Sequence, residues 1–206
     1  AAELVGEAAA RGGHVGLSGG STPGPAYEAA AGLAPDWSRA GLWWVDERCV
    51  PPDDERSNYR LVRRTLLDRL ELLPAVHRIR GELSAERAAA EYERELRGVR
   101  LDLVLLGVGA DGHTASLFPN DPALREGARR AVAVARADID RVTLTVPFLR
   151  TSATVVFLAV GADKAEAVGR AFGAEGDAAT PASLIRSEHG RTIALLDRAA
   201  AANLPA

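Results

Sequence analysis

Short apolar runs alternate with amphipathic stretches along the chain, and this alternation predicts the order of strands and helices. Several apolar runs are nearly continuous, as in strands of a parallel sheet that is covered on both faces. The predicted strands are residues 14–18, 42–46, 101–106, 142–145, 154–160 and 192–196. The predicted helices are residues 1–11, 23–33, 58–70, 84–97 and 164–172. The pattern therefore predicts an α/β fold, with a doubly wound, mostly parallel sheet flanked by helices in a Rossmann-like arrangement.

Polar and glycine-rich segments follow four of these strands at the point where each strand ends. The carboxyl ends of parallel strands share one edge of a sheet, and ligands bind at that edge. We therefore expect the four segments to line one crevice. They are Gly19-Gly20-Ser21-Thr22-Pro23, Asp46-Glu47-Arg48, Gly107-Val108-Gly109-Ala110-Asp111-Gly112-His113 and Gly161-Ala162-Asp163-Lys164.

The composition is that of an ordinary globular protein. A length of 206 residues with 47% hydrophobic residues is enough for one domain, residues 1–206, with a buried core. A net charge of -3 gives no electrostatic basis for a nucleic-acid or membrane-surface partner. No apolar run approaches the roughly 20 residues that span a bilayer. Cys49 is the only cysteine, so no intrachain disulfide can form, and a cytoplasmic location is expected.

The first glycine turn has the features of a phosphate cradle. Gly19 and Gly20 let backbone N–H groups approach an anion, and the start of the following helix favours negative charge. Thr22 can cap that helix and Pro23 suits its first turn, so a plain strand–helix connection is the alternative. No Gly-Lys-Ser/Thr follows the glycines, which excludes a nucleotide P-loop.

Charged residues end the second predicted strand. Arg48 is suited to an oxyanion or a phosphate, and Asp46 to orienting a cation or a sugar hydroxyl. Ordinary solvated surface charge is the alternative. Ser57 and Asn58 follow a Pro-Pro-Asp-Asp loop, where a helix cap is the alternative to substrate binding.

The second glycine segment formally matches the dinucleotide fingerprint G-x-G-x-x-G at residues 107–112. That fingerprint requires a long helix directly after it and an acidic residue about 20 positions on. Here Pro119 and Pro122 cut the helix short, and residues 129–132 contain no acid. A nicotinamide cofactor is therefore not expected.

His113 is the strongest candidate for chemistry, because it follows that loop with the Asp111 carboxylate close by. An imidazole can accept a proton near neutral pH. Lys164 begins a helix after a glycine turn and can direct a positive charge at a phosphate. Cys49 follows Arg48, but no base is paired with it, so a nucleophilic cysteine is not expected. No residues have the spacing of a metal site.

At these residues the chain resembles the 6-phosphogluconolactonase family, within the glucosamine/galactosamine-6-phosphate isomerase superfamily. The similar segments run in family order across nearly the whole chain, and Asp-Gly-His-Thr-Ala-Ser-Leu-Phe-Pro at 111–119 is highly specific. The others are residues 17–23, Asp46-Glu47-Arg48, Val50-Pro51, Ser57-Asn58, and residues 141–145, 161–164 and 181–183. The usual strand before the first helix is absent, and the connections at 98–101 and 138–141 are shorter than usual. With no methionine in the chain, we expect residues to be missing from its start.

The resemblance implies a glucosamine-6-phosphate deaminase-like fold and hydrolysis of 6-phospho-D-glucono-1,5-lactone to 6-phosphogluconate in the oxidative pentose phosphate pathway. His113 would take a proton from the attacking water, and Arg48 would stabilise the oxyanion or else hold the phosphate. Asp46 or Asp111 would orient either His113 or the sugar. No cofactor or metal is implied. The predicted substrate- and phosphate-binding residues are Gly19, Gly20, Ser21, Thr22, Ser57, Asn58, Asp111 and Lys164.

Two other functions remain as alternatives. A glucosamine-6-phosphate isomerase/deaminase usually has Asp-Glu-Tyr in place of Asp46-Glu47-Arg48, and Ile-Ala-Phe-Asn-Glu-Pro in place of residues 114–119, so both segments favour the lactonase. A non-catalytic sugar-phosphate-binding regulator would normally carry a DNA-binding helix-turn-helix, and no segment here suits one. The expected partner is a small sugar phosphate, with no nucleic acid or membrane, bound by a monomer or a weak homodimer.

Overall fold

A parallel sheet forms the centre of the computed structural model, which describes residues 1–33, 36–173 and 175–204. Six of the described strands form it: β1 (His14–Leu17), β2 (Gly41–Trp44), β4 (Ala75–His77), β5 (Leu103–Gly107), β8 (Thr154–Ala159) and β9 (Arg191–Leu196). Their spatial order is β4-β2-β1-β5-β8-β9, and each neighbouring pair is parallel. The predicted doubly wound α/β fold is therefore confirmed.

A smaller antiparallel sheet accompanies it, with the strand order β3-β7-β6. Its strands are β3 (Asp46–Arg48), β6 (Ala131–Val134) and β7 (Arg141–Leu144). The prediction of one strand over residues 42–46 is wrong, because the chain changes sheets at Val45. The Val45 N–H donates to Leu17 O of β1 at 3.0 Å, and its carbonyl accepts from Leu144 N of β7 at 2.8 Å.

Helices cover these sheets close to the predicted positions. They are α1 (Ala2–Ala10), α2 (Gly24–Leu33), α3 (Asn58–Thr65), α4 (Ala85–Glu95), α5 (Val146–Arg150) and α6 (Ala165–Gly173). The helix predicted over 58–70 ends early, because Leu66 leaves the helical conformation and a 3-10 turn, Leu67–Arg69, follows. No long helix follows the second glycine loop. Between this loop and β6 the helical element is the 3-10 turn Pro122–Arg125. No described helix is long and apolar enough to cross a membrane.

Three short elements escaped the hydrophobic pattern. The edge strand β4 has only three residues and is largely exposed, so it has no buried apolar run that would predict a strand. The strand β6 has the sequence Ala-Val-Ala-Val, whose alanines suit a helix equally well. The helix α5 has only five residues, with Pro147 in its first turn.

The strand order places a topological switch point between β1 and β5. From β1 the chain continues to β2 and β4 on one side, and from β5 it continues to β8 and β9 on the other. The connections that leave the carboxyl ends of β1 and β5 therefore diverge and open a crevice. Both predicted glycine segments lie at this crevice.

Two buried tyrosines fix strand ends beside the crevice. The Tyr27 hydroxyl of α2 accepts from Ser18 N at 3.0 Å and donates to Ser18 O at 2.8 Å. The Tyr92 hydroxyl of α4 bonds in the same way to the backbone N–H and carbonyl of Trp44. Burial raises the pKa of both tyrosines, so the hydroxyls stay protonated and keep their donor role.

The buried carboxylate of Glu47 joins β3 to the start of α3. Its Oε1 accepts from Arg48 N at 2.7 Å and from Asn58 N at 2.8 Å. Its Oε2 accepts from Ser57 Oγ at 3.0 Å and from Tyr59 N at 2.8 Å. Burial raises the pKa of Glu47, and these donors act against the rise. The carboxylate thus satisfies helix N–H groups that have no partner within the helix.

Glu47→Gln should destabilise the fold by about 2–4 kcal/mol, because an amide NH₂ would face two buried donors that now meet an oxygen. Urea unfolding measures the change. The matched control is Glu55→Gln, which removes a highly exposed carboxylate of the same β3–α3 connection, and its effect should stay within about 0.5 kcal/mol. Equal stability of the two variants would contradict a structural role for Glu47.

Candidate active site

A pocket of about 220 Å³ opens at the switch point, where the four predicted segments meet. The first glycine turn and Asn58 form part of its wall, and Asp46 and Arg48 of β3 contribute another part. The second glycine loop, with His113, and Lys164 complete the predicted set. Segments far apart in sequence are thus brought to one small cavity, as expected from the carboxyl ends of β1, β5 and β8.

Two predicted residues do not line this pocket. The Ser57 side chain is buried, accepts from Arg60 N as the cap of α3 and donates to Glu47. Ser57 is therefore a helix cap, which was the alternative to substrate binding for this residue. Asp111 lies beside the pocket, and its carboxylate contacts His113. In this structure both side chains therefore bond to other residues of the protein and not to the pocket: Ser57 to Glu47 and the start of α3, and Asp111 to His113.

The first glycine turn depends on the absence of side chains at two positions. A Cβ on Gly19 would overlap the Asn58 side-chain amide. Gly20 has φ of 100°, in the left-handed region that favours glycine. The turn then enters α2 at Gly24, so its backbone passes close to a helix N-terminus. This geometry suits a bound anion.

His113 and Asp111 form an acid–base pair at the end of β5. Asp111 Oδ1 lies 2.6 Å from His113 Nδ1 and also accepts from the His113 N–H at 3.1 Å. A carboxylate at Nδ1 favours a proton on that nitrogen, which leaves Nε2 as the basic nitrogen. The imidazole rests on Phe118 with 5.0 Å between ring centroids, and its side chain is 34% exposed. A partly exposed ring of this kind can exchange a proton with a ligand.

The pKa of Asp111 is lowered in the folded protein. Burial acts to raise it, but the His113 N–H and the charge of the His113 ring outweigh burial. Asp111 therefore remains ionised at neutral pH and presents a carboxylate to His113 Nδ1.

The Asp46 carboxylate is held by neutral donors. Asn58 Nδ2 donates to Oδ1 at 3.1 Å, and Ser116 Oγ donates to Oδ2 at 2.6 Å. Asp46 is only 6% exposed, yet it lines the pocket. The Ser116 N–H in turn donates to Thr143 Oγ1 of β7 at 3.3 Å. One buried carboxylate thus connects β3, α3 and the loop that carries His113.

Three cationic side chains face the pocket: Arg48, Lys164 and Arg141. Arg48 and Lys164 are the two that the sequence motifs predict. Arg141 lay within a segment similar to the family, but nothing local distinguished it from a surface arginine. The sequence holds one clue to its position. In a strand, Arg141 and Thr143 project from the face opposite to that of the apolar Val142, so Arg141 shares a face with a polar residue.

Cys49 has the properties expected of a non-reactive thiol. Burial raises its pKa to about 11, and the nearby carboxylates of Asp140 and Glu47 add to the rise. The thiolate needed for nucleophilic attack is thus scarce at neutral pH. Within the described parts of the chain, no three His, Cys, Asp or Glu side chains group together as metal ligands would.

The fold and the pocket define an α/β protein with an acid–base pair and three cations at the switch point of a parallel sheet. The family described as glucosamine-6-phosphate isomerases/6-phosphogluconolactonase matches residues 2–194, and the chain belongs to this family. The family resemblance stated from the sequence is thereby confirmed.

Relatives on both sides of the family are similar to this chain. A 6-phosphogluconolactonase of Synechocystis sp. is 40% identical over 204 residues, which cover 93% of this chain and 85% of the relative. The crystal structure of 6-phosphogluconolactonase from Thermotoga maritima has a TM-score of 0.82 and 31% identity, and 95% of each chain is covered. A monomeric glucosamine-6-phosphate deaminase has a TM-score of 0.83, with 98% of this chain and 95% of that chain covered. Its 19% identity shows a shared fold alone.

Gly109→Ala should displace the His113 ring and lower any reaction rate that depends on this ring about 100-fold, since a displacement of a reacting group by about 1 Å can have that effect. A Cβ at Gly109 would overlap the His113 ring and press on Asp111 Oδ1. Initial rates test this expectation, with Gly127→Ala as the matched control, because a Cβ at Gly127 meets open space. Equal rates in the two variants would show that the loop does not fix the ring.

Asp111→Asn should reduce stability at pH 7 but not in acid. A carboxyl group with a lowered folded pKa stabilises the fold above its unfolded pKa, which is near 4, and the contribution disappears as pH falls through the folded value. The stability difference between the original chain and the variant should therefore shrink below about pH 4. Urea midpoints at pH 7, 5 and 3 measure it, and a difference that does not vary with pH would oppose the assignment.

Proposed function

We propose that this chain catalyses the hydrolysis of 6-phospho-D-glucono-1,5-lactone to 6-phosphogluconate, the lactonase step of the oxidative pentose phosphate pathway. Family membership and the similarity to 6-phosphogluconolactonases over most of the chain support this activity. The observation that carries the mechanism is the convergence of His113, Arg48, Lys164 and the first glycine turn on one pocket.

His113 acts as the general base in this proposal. Its Nε2 takes a proton from water while the water oxygen forms a bond to the lactone carbonyl carbon. The Asp111 carboxylate stabilises the imidazolium that results, through the 2.6 Å contact at Nδ1. The bond between the carbonyl carbon and the ring oxygen then breaks, and the ring oxygen receives the proton from Nε2. The carboxylic acid that forms loses its remaining proton to solvent and becomes the carboxylate. General-base catalysis of this kind contributes about 10²–10⁴-fold to the rate.

The two ends of the substrate differ in charge, so the pocket must provide different groups for each. The phosphate is dianionic throughout, and the first glycine turn with Lys164 suits it. β1 and β8 flank β5 on either side, so the ends of these two strands lie about 10 Å apart. The first glycine turn follows β1 and Lys164 follows β8, and both line the pocket, so they can bind one phosphate together. Arg48 then faces the carbonyl, where negative charge develops on the oxygen in the tetrahedral intermediate.

Asp46 binds or orients the sugar in this arrangement. Asn58 and Ser116 hold its carboxylate rigidly, and it lies on the same face of β3 as Arg48, two residues away. A fixed acceptor in the wall can take a hydrogen bond from a sugar hydroxyl, and Asn58 completes that side of the pocket.

We also propose a cytoplasmic enzyme in which residues 1–206 form one catalytic domain, acting as a monomer or a weak homodimer. A sugar phosphate is its partner. No metal or organic cofactor enters the proposed steps, because a lactone carbonyl is already activated toward water.

His113→Asn should lower lactone turnover about 10²–10⁴-fold while binding of 6-phosphogluconate is retained, because asparagine keeps hydrogen bonding but cannot act as a base near neutral pH. Initial rates on freshly prepared lactone, corrected for spontaneous opening, measure turnover, and calorimetry measures binding. His189→Asn removes an exposed histidine outside the pocket and is the matched control. Near-normal turnover in His113→Asn would reject the base assignment.

The same preparation distinguishes the two other functions. Release of ammonia from glucosamine 6-phosphate would assign the chain to the deaminase side of the family. Tight binding of sugar phosphates without turnover of any substrate would indicate a regulator.

A further inference from the structure

Two arginines lie directly opposite each other in the smaller sheet, at the wall of the pocket. Arg48 of β3 pairs in register with Arg141 of β7. Side chains opposite each other in an antiparallel pair project from the same face, and like charges in such a pair are destabilising. Both arginines line the pocket. An unfavourable pair of cations at a ligand-binding wall points to an anion that binds between them.

The protein leaves hydrogen-bonding capacity on both guanidinium groups. Arg48 Nη1 donates to a neutral acceptor, the backbone carbonyl of Arg56, at 2.6 Å. Arg141 Nη2 donates to Asp138 Oδ2 at 2.9 Å, but that carboxylate is 61% exposed. The Nε atoms of both arginines are buried and have no hydrogen-bond partner among the described residues. Arg48 Nη2 and Arg141 Nη1 also have no hydrogen-bond partner among the described residues, and a bound oxyanion would provide acceptors for these terminal donors.

Arg141 lies next to the aromatic ring that supports the base. The Arg141 guanidinium carbon is 5.4 Å from the centroid of the Phe118 ring, and the His113 ring packs on the same phenyl group with 5.0 Å between centroids. The first glycine turn and Lys164 are held by other elements, after β1 and β8 of the central sheet. Arg141 thus stands beside the base, whereas the first glycine turn and Lys164 reach the pocket from other strand ends.

We propose that Arg141 and Arg48 together form a carboxylate subsite, separate from the phosphate subsite at the first glycine turn and Lys164. This inference rests on the proposed function. The lactone substrate carries one anionic group, the phosphate, whereas 6-phosphogluconate carries a second one, the carboxylate formed at the carbon that water attacks. The arginine pair binds the developing oxyanion and then the product carboxylate through the planar, bidentate geometry that guanidinium groups favour.

The subsite makes the pocket sensitive to the charge at one end of the ligand. Asp46 lies on the same face of β3, where Asn58 and Ser116 each donate to one of its oxygens and hold the carboxylate in place. Arg141 should therefore contribute more to the binding of a sugar-acid phosphate than to the binding of a sugar phosphate with an uncharged end. It is a specificity-determining residue for the product and for the charged transition state.

Calorimetric binding of two ligands tests the subsite. One ligand is 6-phosphogluconate, and the other is glucitol 6-phosphate, which has the same carbon chain and phosphate but a hydroxymethyl group in place of the carboxylate. In Arg141→Gln the affinity for 6-phosphogluconate should fall about 10- to 100-fold, the range for a hydrogen bond to a charged group. The affinity for glucitol 6-phosphate should change less than about threefold, which is under 1 kcal/mol.

Two further variants control for charge and for folding. Arg141→Lys keeps the charge but loses the planar fork, so its loss of 6-phosphogluconate affinity should be intermediate. Arg129→Gln removes an exposed arginine that is paired with Glu126 outside the pocket, and it should bind both ligands normally. Thermal unfolding checks each variant, and Arg141→Lys decides the test if Arg141→Gln does not fold.

An equal loss of affinity for both ligands in a folded variant would overturn the proposal, because it would place Arg141 at the phosphate. No loss for either ligand would overturn it as well. Lactone turnover by the original chain is measured separately. Selective loss of 6-phosphogluconate binding without turnover would reject the proposed function and retain the subsite, while turnover without selective loss would reject the subsite alone.

Discussion

The site depends on two adjacent buried carboxylates, Asp46 and Glu47, that project to opposite faces of one short strand. Glu47 accepts four hydrogen bonds from Arg48, Ser57, Asn58 and Tyr59, and so fixes the start of α3 against β3. Asp46 faces the pocket and accepts from Asn58 and Ser116. Buried charges are tolerated only when their hydrogen-bonding capacity is met, so these bonds strongly restrict how β3, α3 and the His113 loop can be arranged.

This rigid support explains how a small pocket can hold groups of opposite charge close together. The Asp46 oxygens are engaged by neutral side chains, whereas Arg48 and Arg141 retain donors that no described residue satisfies. The Asp111 carboxylate is directed at His113. The terminal donors that Arg48 and Arg141 retain are therefore available for an anionic ligand.

Glycine positions set the distances within this arrangement. Gly19 allows the first glycine turn to approach Asn58, and Gly109 allows the second glycine loop to close on the His113 ring. Both sites fail to accommodate a Cβ for the same reason, which is that a polar side chain of the network already fills the space. The two glycines leave room for the polar side chains that pack against them, and the position of the His113 ring depends on Gly109 as well as on Asp111.

The sequence by itself determined the parallel α/β class, the segments that meet at the sheet edge and His113 as the candidate base, because hydrophobic periodicity and glycine motifs are local properties of the chain. Local properties of the chain do not reveal that it changes sheets at Val45, that Arg141 lies opposite Arg48, or that Ser116 donates to Asp46. Those features depend on strand pairing between residues far apart in sequence: the Arg48–Arg141 pair joins strands more than 90 positions apart. Only the tertiary structure decides such pairings, since register and side-chain burial arise when the sheets assemble.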